Sequence, residues 1–142
     1  MQQIRDHIRA LEDYLAGRGA RLDRLPMPEW LVGRQRSDQI QLRSGLTPEE
    51  ELPALLHELT HWLVHSAAPG SARLQGAERT ICEYEAEAVE VVVLSRLGLQ
   101  RLLPRGSELI EIDPADALLA HSKRRVTYAC ERICAALGIP AS

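Results

Sequence analysis

Residues 55–63 read Leu55-Leu56-His57-Glu58-Leu59-Thr60-His61-Trp62-Leu63, a His-Glu-x-x-His pattern inside an apolar run. The apolar residues recur at helical spacing, so the stretch reads as a helix packed into a core. One turn separates His57 from His61, and both imidazoles leave the same side of such a helix. Two imidazoles so placed can share one zinc ion, with Glu58 beside them in reach of a metal-bound water. The bland alternative is a pair of surface histidines on an amphipathic helix. The leucines and tryptophan around them argue against it, because a stray pair of imidazoles in a core is costly.

Just upstream, Thr47-Pro48-Glu49-Glu50 has the form of a helix start, with Thr as cap, Pro at the first position and Glu three residues after Thr. Pro53 would clash inside a continuous helix. The expected arrangement is therefore a single turn over 48–52, then the main helix from about Pro53 to His65 or Ser66. Ala67-Ala68-Pro69-Gly70-Ser71 breaks the chain. Residues 72–79 are polar and without a clear pattern. A second long helix is indicated from about Glu78 to Leu97, closed by Gly98.

Near the N-terminus, Ile4, Ile8, Leu11 and Leu15 mark an amphipathic helix over residues 3 to about 16, ended by Gly17 and Gly19. Leu22 to Pro28 reads as a connector broken by Pro26 and Pro28. Trp30-Leu31-Val32 looks like a short strand. Gln39-Ile40-Gln41-Leu42-Arg43 alternates polar and apolar, as a strand with one buried face does. The polar link Gly33 to Asp38 would let these two pair as a hairpin. Residues 99–113 form a connector. Pro114 to about Ala120 and Lys123 to Leu137 read as two final helices, the latter with Val126, Cys130, Ile133 and Leu137 in register.

With 142 residues, the chain is expected to form one domain over 1–142. It has no Phe and few aromatics, so its core must be built from Leu, Val, Ile and Ala. A net charge of -3 gives no electrostatic case for a nucleic-acid partner. Lys123-Arg124-Arg125 reads as a solvated helix face. The first residues carry charges where a signal peptide needs an apolar run. Val91-Val92-Val93-Leu94 is far too short to span a membrane. These features lead to the expectation of a soluble, cytoplasmic protein with no membrane contact. Cys82, Cys130 and Cys134 lack disulfide or Cys-x-x-Cys spacing, and the last two read as small apolar residues in a core. His7 and His121 are without partner patterns and read as surface residues.

A catalytic zinc takes three protein ligands and leaves one position for water. The third should come from a separate helix crossing the first, and the acidic helix carrying Glu83-Tyr84-Glu85-Ala86-Glu87-Ala88-Val89-Glu90 is the candidate. Glu83, Glu87 and Glu90 share one face, while Glu85 points roughly the other way. Spacing alone allows either Glu83 or Glu87. His65 extends the histidine row by one more turn. From there a ligand would lie about 6 Å further along the axis, too far to close a tetrahedron. His65 therefore reads as a helix-end residue or a pocket wall.

The block L-L-H-E-L-T-H-W-L-V-H, followed by R-T-I-C-E-Y-E-A-E-A-V-E, resembles the ImmA/IrrE family of zinc metallopeptidases. It is also similar to the zincin domain of ArdC-type antirestriction proteins. In those families the active helix is followed by one with a Glu-x-x-Ala-Asn or Glu-x-x-Ala-Glu pattern, and Glu83 to Glu87 matches the second form. Gly33 and the alternation Ile40 to Leu42 are similar too, so the likeness covers roughly residues 30 to 98. Where ImmA/IrrE members commonly show Phe-Ala and then Leu-Leu-Met-Pro, this chain has Val89-Glu90 and Leu97-Gly98-Leu99. That leans the local pattern toward the ArdC-like branch.

The resemblance implies an α+β, minimal zincin-like fold, mostly helical, with a small antiparallel sheet beside the His-Glu-x-x-His helix. It implies Zn2+ as cofactor, held by His57, His61 and Glu83, with Glu87 as partner to a metal-binding histidine. The expected chemistry is peptide hydrolysis, with zinc as Lewis acid and Glu58 as general base. Tyr84, Tyr128, His65 and Arg79 are candidates for stabilising the oxyanion. The implied function is a zinc-dependent endopeptidase acting on a partner protein, such as a helix-turn-helix repressor. The competing reading is a non-proteolytic zinc-fold module that acts by binding, in antirestriction or toxin control. Glu58 favours the enzyme, since a structural site has no use for a base and would need a fourth protein ligand.

Overall fold

The structure, a computed structural model, describes residues 2–65, 77–103 and 117–140. Along the chain these form helix α1 (Gln2–Gly17), strands β1 (Arg21–Leu25), β2 (Gly33–Arg36) and β3 (Gln39–Arg43), and helix α2 (Pro48–Val64). Helix α3 (Ala77–Arg96), a 3-10 turn at Gln100–Leu102 and helix α4 (Ala117–Leu137) follow. The class is α+β. Among the described residues no helix is long and apolar enough to cross a membrane.

Helix α1 buries Ile4, Ile8, Leu11 and Leu15, the stripe its sequence spacing marks. The chain leaves it through Gly19 at φ 77, with the amides of Gly19 and Ala20 bonding back to the carbonyls of Ala16 and Leu15. His7 on this helix is half-buried rather than a surface residue, and burial lowers its pKa despite the nearby charge of Asp6.

The sheet departs from the sequence expectation in three ways. First, Arg21–Leu25, most of which falls in the stretch read as a connector from Leu22 to Pro28, forms an edge strand whose partner is remote in sequence. Arg21-Leu22-Asp23-Arg24-Leu25 lies parallel to β3, with Leu22 opposite Ile40. Pro26 and Pro28 follow the strand instead of disrupting it. Second, Trp30-Leu31-Val32 is not a strand, and Trp30 is among the most exposed apolar residues. The two-residue turn Ser37-Asp38 forces its immediate neighbours to pair. The polar segment Gly33-Arg34-Gln35-Arg36 therefore takes the antiparallel register with β3, Arg36 opposite Gln39. Third, the sheet is mixed rather than antiparallel, because β3 inserts between β1 and β2. As the central strand, β3 buries Ile40 and Leu42 fully, and Gln39 and Gln41 almost so.

Helix α2 is continuous from Pro48, with Pro53 inside it, where a break was expected. An interior proline costs about 3 kcal/mol. Leu52, Leu55, Leu56 and Leu59 are fully buried on this helix, and each gains about 1.5–3 kcal/mol by leaving water. Core packing outweighs the lost ladder bond. The start matches the capping pattern in full, Thr47 accepting from the Glu50 amide and Glu50 accepting from the Thr47 amide. At the other end Trp62 donates from its indole to the Ser37 carbonyl at 3.1 Å, tying the hairpin turn to α2.

Helix α3 runs over nearly the expected range, Val89, Val93 and Leu94 facing the core. One helix, α4, replaces the two expected after residue 114, and it contributes Ala129, Cys130, Ile133 and Cys134 to the same core. Polar His121-Ser122 looked like a boundary but lies within helical backbone, whose continuity packing against α1 and α3 supports. Cys130 and Cys134 are core residues as expected, and burial pushes the Cys130 thiol up to about 11. The break at 67–71, the polar stretch up to residue 76 and the start of the expected helix at Pro114 lie outside the described residues.

Candidate metal centre

Helix α2 lies between the sheet and helix α3, and its polar row faces α3. On that row His57 and His61 are one turn apart, with ring centroids 4.7 Å from each other. Glu83, six residues into α3, meets them both. Its Oε2 lies 3.1 Å from His57 Nε2, and its Oε1 lies 3.1 Å from His61 Nε2. The two Nε2 atoms are 3.2 Å apart. Three potential ligand atoms from two helices thus converge, and each residue offers one of them.

The spacing of these atoms tests whether a cation fits. Zinc–nitrogen bonds of about 2.0–2.1 Å in a tetrahedron put neighbouring ligand atoms about 3.3–3.4 Å apart. The 3.2 Å between the two Nε2 atoms falls just short of that edge length, and each nitrogen has a different Glu83 oxygen 3.1 Å away. Each imidazole also has its other nitrogen engaged on the far side. His57 Nδ1 lies 3.3 Å from Glu90 Oε2, and His61 Nδ1 lies 2.8 Å from His65 Nδ1. Bonds of this kind orient a metal-binding imidazole and set its tautomer. The donor set of two imidazoles and one carboxylate suits zinc and leaves a fourth position free of protein.

The electrostatics describe a carboxylate-rich site that is buried on the Glu58 and Glu90 side. Burial would lower the His57 pKa, but hydrogen bonds to Glu83 and Glu90 outweigh it and raise it to about 10. Burial lowers His61, against the pull of Glu83. Bonds from both imidazoles hold Glu83 well below the carboxylate range, although burial opposes them. Glu90 is raised by burial, with the His57 bond acting the other way. Glu83 itself is half-exposed, so the cluster opens to solvent on its side.

Glu58 is nearly inaccessible, at 7 % exposure. Burial raises its pKa to about 7, with His57 lowering it and Glu83 and Glu90 raising it further. Strand β2 presses on this side chain. A Cβ at Gly33 would come within 2.8 Å of Glu58 Cγ and 2.8 Å of Leu42 Cδ2, so only glycine lets the strand approach so closely.

Two carboxylates behind the histidines differ from the expectation. Glu87 was the expected partner of a metal-binding histidine, but Glu90 fills that place beside His57. Glu90 shares a face with Glu83 about two helical turns away, so the helical pattern contained the signal. Glu85 does point away from the Glu83 side, yet it is fully buried and accepts from His65 Nε2 at 2.7 Å. His65 is neither a ligand nor a pocket wall; it caps the end of α2 and bonds to His61. Arg125, read as part of a solvated cluster, is half-buried against Glu85, whereas Lys123 and Arg124 are exposed. Nothing in the local sequence distinguished Arg125 from its neighbours. The side chains of Arg79 and His121 lie outside the described residues, and Tyr128 is exposed on α4 under Arg132.

No protein-family model matches this sequence, and neither a curated protein nor a solved structure matches it.

Proposed function

We propose that the protein is a zinc-dependent peptidase of minimal zincin-like build, with His57, His61 and Glu83 as metal ligands. The observation that carries this reading is the convergence of the two Nε2 atoms, 3.2 Å apart, on one carboxylate whose two oxygens each lie 3.1 Å from one of them, beside a buried glutamate. The likeness of the two helical motifs to ImmA/IrrE and ArdC-type zincins supports it independently of the geometry.

Held by His57, His61 and Glu83, the ion would supply Lewis acidity toward a carbonyl and would make a nearby water more acidic. The chain's own residues do the rest. Glu58, one residue after His57, is the general base that takes a proton from the attacking water and returns it to the leaving amine. In the metal-free protein burial raises its pKa to about 7, so this carboxylate is a better proton acceptor than a solvated one. Glu90 and the His65 bond fix the two imidazoles. Strand β2 is an edge strand passing over Glu58, and its outer side suits an extended peptide pairing beside the base. The substrate is a partner protein, with a helix-turn-helix repressor the class that the family likeness suggests.

The test is metal content and turnover together. Purified protein is expected to hold about one zinc per chain. Glu58→Gln should keep that zinc and lose on the order of 10²–10⁴-fold in hydrolysis of a susceptible peptide or partner. The competing reading is a zinc-fold module that acts by binding. It predicts equal behaviour of wild type and Glu58→Gln toward the partner, and that result would replace the peptidase reading.

A further inference from the structure

The two ligand histidines are held from behind in different ways. His57 meets a carboxylate directly, Nδ1 to Glu90 Oε2 at 3.3 Å. His61 does not. Its Nδ1 faces the Nδ1 of a second imidazole, His65, at 2.8 Å, and only that ring reaches a carboxylate, Nε2 to Glu85 Oε1 at 2.7 Å. Glu85 is in turn gripped from α4, where Arg125 donates through Nε to both of its oxygens at 2.8 Å and pairs through Nη2 at 2.8 Å. His61, His65 and Glu85 are all nearly or fully buried.

Hydrogen-bond directions along this chain are constrained. A carboxylate locked to a guanidinium can only accept, so His65 donates to it through Nε2. As a neutral ring, His65 then presents a lone pair at Nδ1. Two nitrogens at 2.8 Å need one proton between them, so that proton sits on His61 Nδ1. His61 is left with its lone pair on Nε2, the atom that faces Glu83 and His57. The arrangement does for His61 what a direct carboxylate does for His57, with an interposed ring and an anchor on the last helix.

We propose that His65, backed by Glu85 and Arg125, is a positioning residue for His61. It fixes the orientation and tautomer that turn Nε2 toward the metal, so retention of the ion depends on α4 as well as on the two ligand helices. This rests on the metal-centre reading above. The third histidine of the row is thereby given a role as a bridge, one that neither a ligand nor a passive helix end would have.

The experiment measures zinc and cobalt(II) affinity by chelator competition, with the visible spectrum of the cobalt form and the melting temperature of the metal-free protein. It compares wild type, His65→Leu and His65→Gln. Glutamine retains an acceptor for His61 and a donor for Glu85, whereas leucine retains neither. The expected result is a loss of about 10–100-fold in affinity for His65→Leu, with an altered cobalt spectrum, and recovery of most of the affinity in His65→Gln. Should His65→Leu fail to fold, His65→Ser, which is small enough to admit water, takes its place with the same expectation. Equal metal affinity in all variants overturns the inference and leaves the metal centre standing. So does a fall in metal-free melting temperature with affinity unchanged, which would make His65 merely structural. Wild type without affinity for either ion overturns the metal-centre reading, and this inference falls with it.

Discussion

The two halves of helix α2 use similar residues to opposite ends. At its start, Glu51 is almost fully buried, and Arg24 from β1 donates to it through Nε at 2.9 and 3.1 Å while also reaching Glu12 of α1 at 2.7 Å. Thr47 and Glu50 close the cap reciprocally. The buried carboxylate is paired there within the chain, and the guanidinium is raised above its usual pKa chiefly by the Glu51 bond. In the second half of the helix, Glu58, Glu83 and Glu90 crowd around two imidazoles, and among the described residues no arginine or lysine acts on them. In the metal-free protein a proton on His57 offsets part of that charge. A structural ion pair satisfies itself. A binding site leaves a charge for something else to satisfy.

This contrast can be broken by experiment, and the largest effect should come from the ion. Zinc at a thousand times its dissociation constant should stabilise the folded protein by about 4 kcal/mol through mass action. The gain should vanish in His57→Ala, as read by thermal melting with and without zinc. An equal shift in both proteins would mean that the ion binds elsewhere.

The next effect concerns Glu58 in the metal-free protein. Its folded pKa of about 7 lies above the ordinary carboxyl value of 4.5, so the folded state holds its proton more tightly than the unfolded state does. This group's contribution is present in full below about pH 4.5 and is lost as the pH rises through 7. The difference corresponds to on the order of 3 kcal/mol. Glu58→Gln removes that dependence. Its stability relative to wild type should therefore rise by about that amount between pH 4.5 and pH 8 in denaturant titrations of the stripped protein. A pH-independent difference between the two would show that Glu58 is not held in a water-poor setting.

The smallest effect sharpens the contrast from the other end of the helix. Arg24→Met strands the buried Glu51 carboxylate, but Arg24 is partly solvated. The cost should be only about 1–2 kcal/mol. Metal affinity should be unchanged, because this network shares no side chain with the histidines. A large drop in affinity would mean that the two halves of α2 are coupled through the helix itself.

Much of the architecture was legible wherever a local rule acts alone. The stripe Ile4, Ile8, Leu11, Leu15 gave α1, the capping box gave the start of α2, and Gly98 gave the end of α3. The readings that failed depended on distant partners. Arg21 to Leu25 carries no clean alternation, and it becomes a strand because β3 offers a parallel edge. Trp30 to Val32 has strand-like residues, but the tight turn at Ser37-Asp38 hands the pairing to a polar segment. Pro53 is tolerated because four buried leucines outweigh it. The two candidate histidines announced themselves through a fixed spacing on one helix. Their supports did not, since Glu85 and Arg125 meet only through the packing of α3 against α4.

By itself, then, the sequence determined which residues can hold a cation, because helical periodicity converts a four-residue spacing into a shared face. It also narrowed the third ligand to Glu83 or Glu87. Tertiary structure brings Glu83, rather than Glu87, to the pair, with one carboxylate oxygen 3.1 Å from each imidazole. It also assigned Glu90, His65, Glu85 and Arg125 their places behind the site. The reason is physical: contacts within a helix follow from its pitch, whereas contacts between helices depend on how whole faces pack, and no short stretch of sequence contains that information.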